Sequence, residues 1–279
     1  MRHAAIVLSL LLTTAACGRG SVLAQAPPQG RFPSGDITLS YRLDRPEGRG
    51  PFPAVVVGHG SGRLTKDDHR FFADNLVRRG YAVLRYDKRG VGESGGEYAS
   101  VGVQNGARML ALLASDMAAG VAFLRRQPDI DPARIGLVGV SQAGWIIPLA
   151  AADSRPAFMI LISGPAVSVG EEIYYSRFGE PDGASLDKAY DELSRFSGDR
   201  GFDPRPVLEK LDVPGLWLLG EADESIPERD TARILRGFAS QGRPFTVVEY
   251  PGADHAMFVR AAGRMAPFWN DIDKWLEKR

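Results

Sequence analysis

Between residues 36 and 44 the chain reads DITLSYRLD, with Ile37, Leu39, Tyr41 and Leu43 at every second position. That alternation predicts an antiparallel strand with one face on a core and the other in water. The next apolar stretch differs. PFPAVVVGHG (51–60) is an unbroken β-branched run that stops at glycines, as a strand covered on both faces would. DDHRFFADNLVRRG follows, with Phe71, Phe72, Leu76 and Val77 at helical spacing and Gly80 ending the helix. YAVLRYD (81–87) reads as a buried strand, Asn105 to Gln127 as a long helix, and RIGLVGV (134–140) as a strand. A helix from Gln142 to Ala152 and the strand AFMILIS (157–163) come next. VPGLWLLGEAD and PFTVVEYPGADH, with the helix ERDTARILRGFASQ between them, close the series. This rhythm predicts an α/β fold: a mostly parallel sheet flanked by helices on both faces, with the alternating first strand antiparallel at one end.

Two segments stand outside the rhythm. Residues from about 165 to 210 include EEIYYSRFG and LDKAYDELSRF, which carry Tyr174, Tyr175, Phe178, Tyr190 and Phe196. So long a stretch without structure is uncommon, so a small helical cap is expected there, acting as a lid over a pocket. Packing of those aromatics within a core is the plainer use. At the other extreme, Arg2 and His3 precede AAIVLSLLLTTAA, too short to span a bilayer comfortably but suited to a signal-peptide core. Residues 1–26 therefore read as a signal peptide with two processing outcomes. Ala24-x-Ala26 suits ordinary cleavage and release, whereas TAAC (14–17) resembles the lipobox of bacterial lipoproteins, with Thr14 in place of the usual leucine. Cys17 is the only cysteine, so no disulfide explains it. Either route predicts an exported protein, periplasmic or lipid-anchored, otherwise secreted. Residues 27–35 read as a linker rich in proline, glycine and polar residues, leaving 36–279 as one domain.

Composition narrows the partners. Lys plus Arg equals Asp plus Glu at 34 each, which gives no reason to expect nucleic acid or a charged membrane surface. Membrane attachment is expected only through a lipidated Cys17. No His or Cys pair has ligand spacing, so neither a metal nor a cofactor is expected. GVGESG (90–95) satisfies the dinucleotide fingerprint after a strand, with Asp116 at about the right distance. The fingerprint requires a helix to open at once, but GEYASVGVQNG reads as loop, and Asp116 falls inside a helix.

Chemistry enters at IGLVGVSQAG (135–144), where Ser141 ends a strand and a helix begins. Gly-x-Ser-x-Gly in that setting is a nucleophile elbow, here with Ala143 at the last position and Gly144 beside it. Serine is also a common helix N-cap, and the stretch alone does not separate the two. Of the four histidines, only His255 follows Ser141, in a loop after the last strand. An acid should lie between them at another strand end, where Asp223 stands with Glu221 as its rival.

GHGSG (58–62), YDKRGVGESGG (86–96), GVSQAG (139–144), GEADESIP and GADH occur in the order found in the α/β-hydrolase superfamily. Over about residues 36–279 the chain resembles that superfamily, particularly its serine esterases and the serine-aminopeptidase-like and dienelactone-hydrolase-like branches. The resemblance implies an α/β-hydrolase fold with a cap, and Ser141, Asp223 and His255 as catalytic triad. It places the oxyanion donors at the backbone N–H of Gln142 and of Ser61, with Gly60 as the alternative to Ser61, and makes His59 a structural residue. The activity implied is hydrolysis of small-molecule carboxylic esters through an acyl-enzyme. A serine peptidase or amidase is the alternative, and a non-catalytic exported binding protein is the reading from another class.

Overall fold

The computed structural model describes residues 28–179 and 186–279. The expected signal peptide (1–26), with its candidate processing motifs and Cys17, falls outside the described residues. An eight-stranded sheet runs in the order β1-β2-β4-β3-β5-β6-β7-β8. Its strands are β1 (Gln29–Ser34), β2 (Ile37–Asp44), β3 (Phe52–Gly58), β4 (Ala82–Tyr86), β5 (Ile130–Val140), β6 (Phe158–Ile162), β7 (Gly215–Gly220) and β8 (Phe245–Tyr250). From β4 across to β8 every pairing is parallel, and β1 and β2 pair antiparallel at one edge.

The helices follow from the period of the strands. In β3, Ala54 and Val56 face one side and Val55 and Val57 the other, all buried. The first side packs against α2 (Gly106–Arg125), α3 (Ala143–Ser154) and α7 (Glu228–Ser240). The second packs against α1 (Arg70–Val77) and α8 (Phe268–Leu276). By length and composition α2 is apolar enough to cross a membrane, yet Leu110, Met117, Val121 and Leu124 pack into the core. The remaining elements are α4 (Val169–Ser176), α5 (Leu186–Ser194) and α6 (Arg205–Leu208) in the cap, and a short hairpin of β9 (Phe258–Val259) and β10 (Arg264–Met265).

Three expectations are corrected. Within the expected linker 27–35, Gln29–Ser34 form edge strand β1 instead. Phe32 is buried against Tyr41, Tyr86 and Phe123, and an edge strand tolerates Pro33 where a central one would not. The Ser34 hydroxyl donates to Asp116, whose carboxylate also takes both ends of the Arg89 guanidinium. The acid that a dinucleotide reading would require is thus occupied by a buried structural pair, and no helix opens between Gly95 and Asn105. Second, Phe71 lies on the helical apolar pattern of α1 but is 55% exposed. It borders a cavity rather than the core. Third, among the described residues the cavity that holds Ser141 is lined by other segments than the cap.

Candidate active site

The carboxyl ends of β3, β5, β7 and β8 lead into the loops that carry the expected residues. Ser141 follows β5 with φ at 53°, and its N–H donates to the Ile162 carbonyl at 3.0 Å. A non-glycine residue in that region is strained, and strain at such a turn presents a side chain instead of packing it. Gln142, not Ser141, occupies the N-cap of α3, so the capping alternative does not describe this serine. The elbow also explains its own sequence. A Cβ on Gly139 would stand 2.5 Å from the Ala143 Cβ, and one on Gly144 2.5 Å from Pro165 Cδ.

Asp223, three residues past β7, is buried, and its Oδ1 accepts the N–H groups of Ser225 and Ile226 at 2.8 Å each. His255 Nδ1 donates to the same carboxylate at 2.9 and 3.0 Å. A carboxylate only accepts, so Nδ1 carries the proton and Nε2 is left basic. Glu221, the rival acid, is exposed. A Cβ on Gly220 would run into the Ala253 carbonyl, so the acid loop and the histidine loop interlock by contact. The Ser163 hydroxyl donates to the His255 carbonyl at 2.9 Å and the Tyr175 hydroxyl to the Asp223 carbonyl at 2.9 Å. Burial lowers the His255 pKa, but the hydrogen bond and charge of Asp223, with Glu224 and Glu172, outweigh it and hold the imidazole above its usual range. Glu172, one helical turn before Tyr175 on α4, is itself pushed up to about 7 by burial.

The loop after β3 lies against Ser141, with a Cβ on Gly60 reaching within 3.6 Å of the Ser141 Cβ. Among the described residues, the backbone N–H groups of Ser61 and Gln142 have no hydrogen-bond partner. Beneath them Lys88 Nζ donates to the carbonyls of Gly60 and Gly62 and to Gln142 Oε1. His59 Nε2 lies 2.7 Å from the Tyr86 carbonyl, to which the neutral ring donates, and burial pushes its pKa down to about 3. It shapes the loop as a neutral ring.

Ser141 and His255 share a cavity of about 320 Å³ whose other walls include Phe71, Phe72, Val140, Ile162, Met265 and Phe268. Among the described residues, none of the cap lines it. The cap leans on the Asp223 side through Tyr175, and Phe178 and Phe196 each pack on Tyr174. Lys88, Glu172 and the cavity wall are features that periodicity does not reveal, because a single charged or aromatic residue gains its meaning from tertiary approach. Among the described residues no group of three potential metal ligands occurs.

Comparison with known proteins identifies the fold and the family. The chain is similar to the quorum-quenching protein AidA of Acinetobacter baumannii, 34% identical over 140 residues that cover 49% of this chain and 43% of that protein. It is 26% identical over 275 residues to Esterase EstD of Thermotoga maritima, covering 85% of this chain and 62% of that one. The matches thus span less than two thirds of either relative. In three dimensions the chain resembles the α/β hydrolase GrgF of Penicillium, with a TM-score of 0.64, 19% identity, and 89% and 96% of the two chains covered. The fold is that of the α/β hydrolases. Residues 69–279, from the start of α1 through both interlocked loops to the end of α8, match the prolyl oligopeptidase family, and on that span, most of its length, the chain belongs to this family.

Proposed function

We propose that the protein is a serine hydrolase acting on carboxylic esters of small molecules. The observation that carries this reading is the pairing of Asp223 with His255 Nδ1 beside a strained Ser141 in one apolar cavity. In the proposed reaction His255 Nε2 takes the Ser141 proton as Oγ bonds to the ester carbonyl carbon. The carbonyl electron pair moves to oxygen, where the N–H groups of Ser61 and Gln142 receive it. Collapse expels the alcohol, protonated by His255, and water repeats the sequence on the acyl-enzyme. The name of the EstD relative supports an ester substrate. A fluorophosphonate probe should label Ser141, and Ser141→Ala should lose ester turnover by at least about 10³-fold with little change in thermal stability. An unlabelled protein that turns over no ester across a panel of acyl chains would overturn the reading.

Membership of the prolyl oligopeptidase family favours a second reading, a peptidase or amidase with the same residues in the same roles. Aminoacyl 4-nitroanilides turned over within about tenfold of the matched esters would establish it, because an amine is the poorer leaving group. Export belongs to the same proposal. Intact mass of protein from membrane and soluble fractions should show a lipid on Cys17 or an N-terminus at Pro27, and Met1 retained on the accumulated protein sinks it.

A further inference from the structure

Lys88 sits immediately after β4 and Asp87, 2% exposed, in the turn YDKRG. An ammonium has three protons to donate, and all three find acceptors: Gly60 O at 2.8 Å, Gly62 O at 3.2 Å and Gln142 Oε1 at 2.9 Å. Two of these acceptors bracket Ser61 in the loop after β3, and the third belongs to the residue after Ser141. The same ammonium therefore ties together the two segments whose N–H groups lack partners. Among the described residues no carboxylate lies within ion-pair distance of it. Other buried cations here are neutralised, Arg89 by Asp116 and Arg85 by Asp44.

A buried charge held only by neutral dipoles carries a desolvation cost that an apolar residue would not. If Lys88 served only to brace the loop, neutral donors would do so at lower cost. The missing counter-charge is one that appears only during reaction, when a carbonyl oxygen above Ser61 and Gln142 becomes an oxyanion. Resting on the hydrolase reading above, we propose that Lys88 is the positioning residue of the oxyanion site: it sets both donor segments and supplies the positive field that the tetrahedral intermediate neutralises. It neither touches the substrate nor transfers a proton. The Ser141 proton goes to His255, and the electron pair of the broken π bond goes to the carbonyl oxygen.

Removal of water around it pushes the Lys88 pKa down to about 8. The ionisable groups around it are His59 from the loop after β3 and His69 at the start of α1, pushed by burial down to about 3 and about 4 and so neutral at pH 7. Tyr98 stands 5.9 Å from the ammonium, with Arg63 over the same ring. The ammonium therefore deprotonates as pH rises through about 8, and kcat/KM should show an alkaline limb there.

Lys88→Met keeps the length of the side chain and removes the charge. It should lower kcat by about 10- to 100-fold with KM nearly unchanged, a fraction of what loss of a direct oxyanion donor costs. It should also weaken a trifluoromethyl ketone, which forms an anionic adduct with the serine, by the same factor. A non-reactive ether analogue should bind as before, and the alkaline limb should disappear. A loop that is merely loosened would raise KM and weaken both inhibitors alike. Should Lys88→Met fail to fold, Gln142→Leu removes one leg of the tripod from the opposite segment and should give the same split between the two inhibitors. A wild type that is active and labelled at Ser141, with a folded Lys88→Met variant within threefold of its kcat, overturns the role of Lys88 alone. A wild type neither labelled nor active overturns the hydrolase reading with it.

Discussion

His255 faces three carboxylates, and their balance against burial sets the pH at which the proposed base can act. Burial lowers its pKa, while Asp223 by hydrogen bond and charge, then Glu224 and Glu172, raise it above the ordinary 6.5. A base must be neutral to accept the Ser141 proton, so kcat/KM should climb as pH rises through an ionisation above 6.5. Asp223→Asn removes the largest of the raising effects, so that limb should move to lower pH. The plateau should also fall by roughly 10⁴-fold, because the imidazole then loses its productive tautomer. Glu221→Gln alters an exposed, solvent-screened charge and should stay within about threefold. Rate profiles of the three proteins check this, and the larger loss at Glu221 would move the acid role there. Ser141, His255 and Asp223 were legible because chain order and strand ends leave few candidates. Glu172 and Lys88 were not, since each is drawn in from a different element and no local pattern marks a charged residue as buried.

At the scale of elements, the turn between β5 and α3 depends on where a methyl group is placed. The usual second glycine of the elbow is Ala143 here, fully buried, and its Cβ occupies the space left by Gly139. Gly139→Ala puts a Cβ 2.5 Å from Ala143 Cβ and 3.0 Å from Ile147 Cδ1, an overpacking expected to cost about 1–3 kcal/mol. Adding Ala143→Gly should recover part of that loss, since contacting sites are not additive. Urea unfolding of the two single variants and the double variant measures the coupling, and strict additivity would show that the two methyl groups do not compete. Strands β3 to β8 were legible for the same reason they pack: continuous apolar runs can only be covered on both faces. Strand β1 was hidden because Pro28, Gly30 and Pro33 read as breakers, whereas an edge strand needs only one hydrogen-bonded side. Helix α8 does carry the spacing Phe268, Ile272, Trp275, all buried, but a helix of only nine residues gives a weak periodic signal.

The cavity beside Ser141 belongs to the molecule as a whole. Its walls come from α1, the ends of β5 and β6, the histidine loop, β10 and α8, segments that meet only when the sheet is complete. Phe71 and Met265, 55% and 43% exposed, are the exposed large hydrophobic residues among those described, and both line this cavity. Leaving such side chains in water has no packing benefit, and an apolar arm of the substrate laid between them would cover them. Burying one methylene is worth about 0.8 kcal/mol, or roughly fourfold in affinity. In the proposed esterase reaction, kcat/KM should therefore rise by roughly fourfold per added methylene until the 320 Å³ of the cavity are filled, then level off or fall. Two series separate the arms, 4-nitrophenyl esters of lengthening acids and acetates of lengthening alcohols. The cavity reaches both Ser141 and Ala256 beside His255, so one series should be steep and the other shallow. Phe71→Ser should flatten the steep one and leave the acetyl rate alone, because the smallest substrate does not reach the lip. Two flat series with the wild type would mean that this apolar cavity does not select the ester.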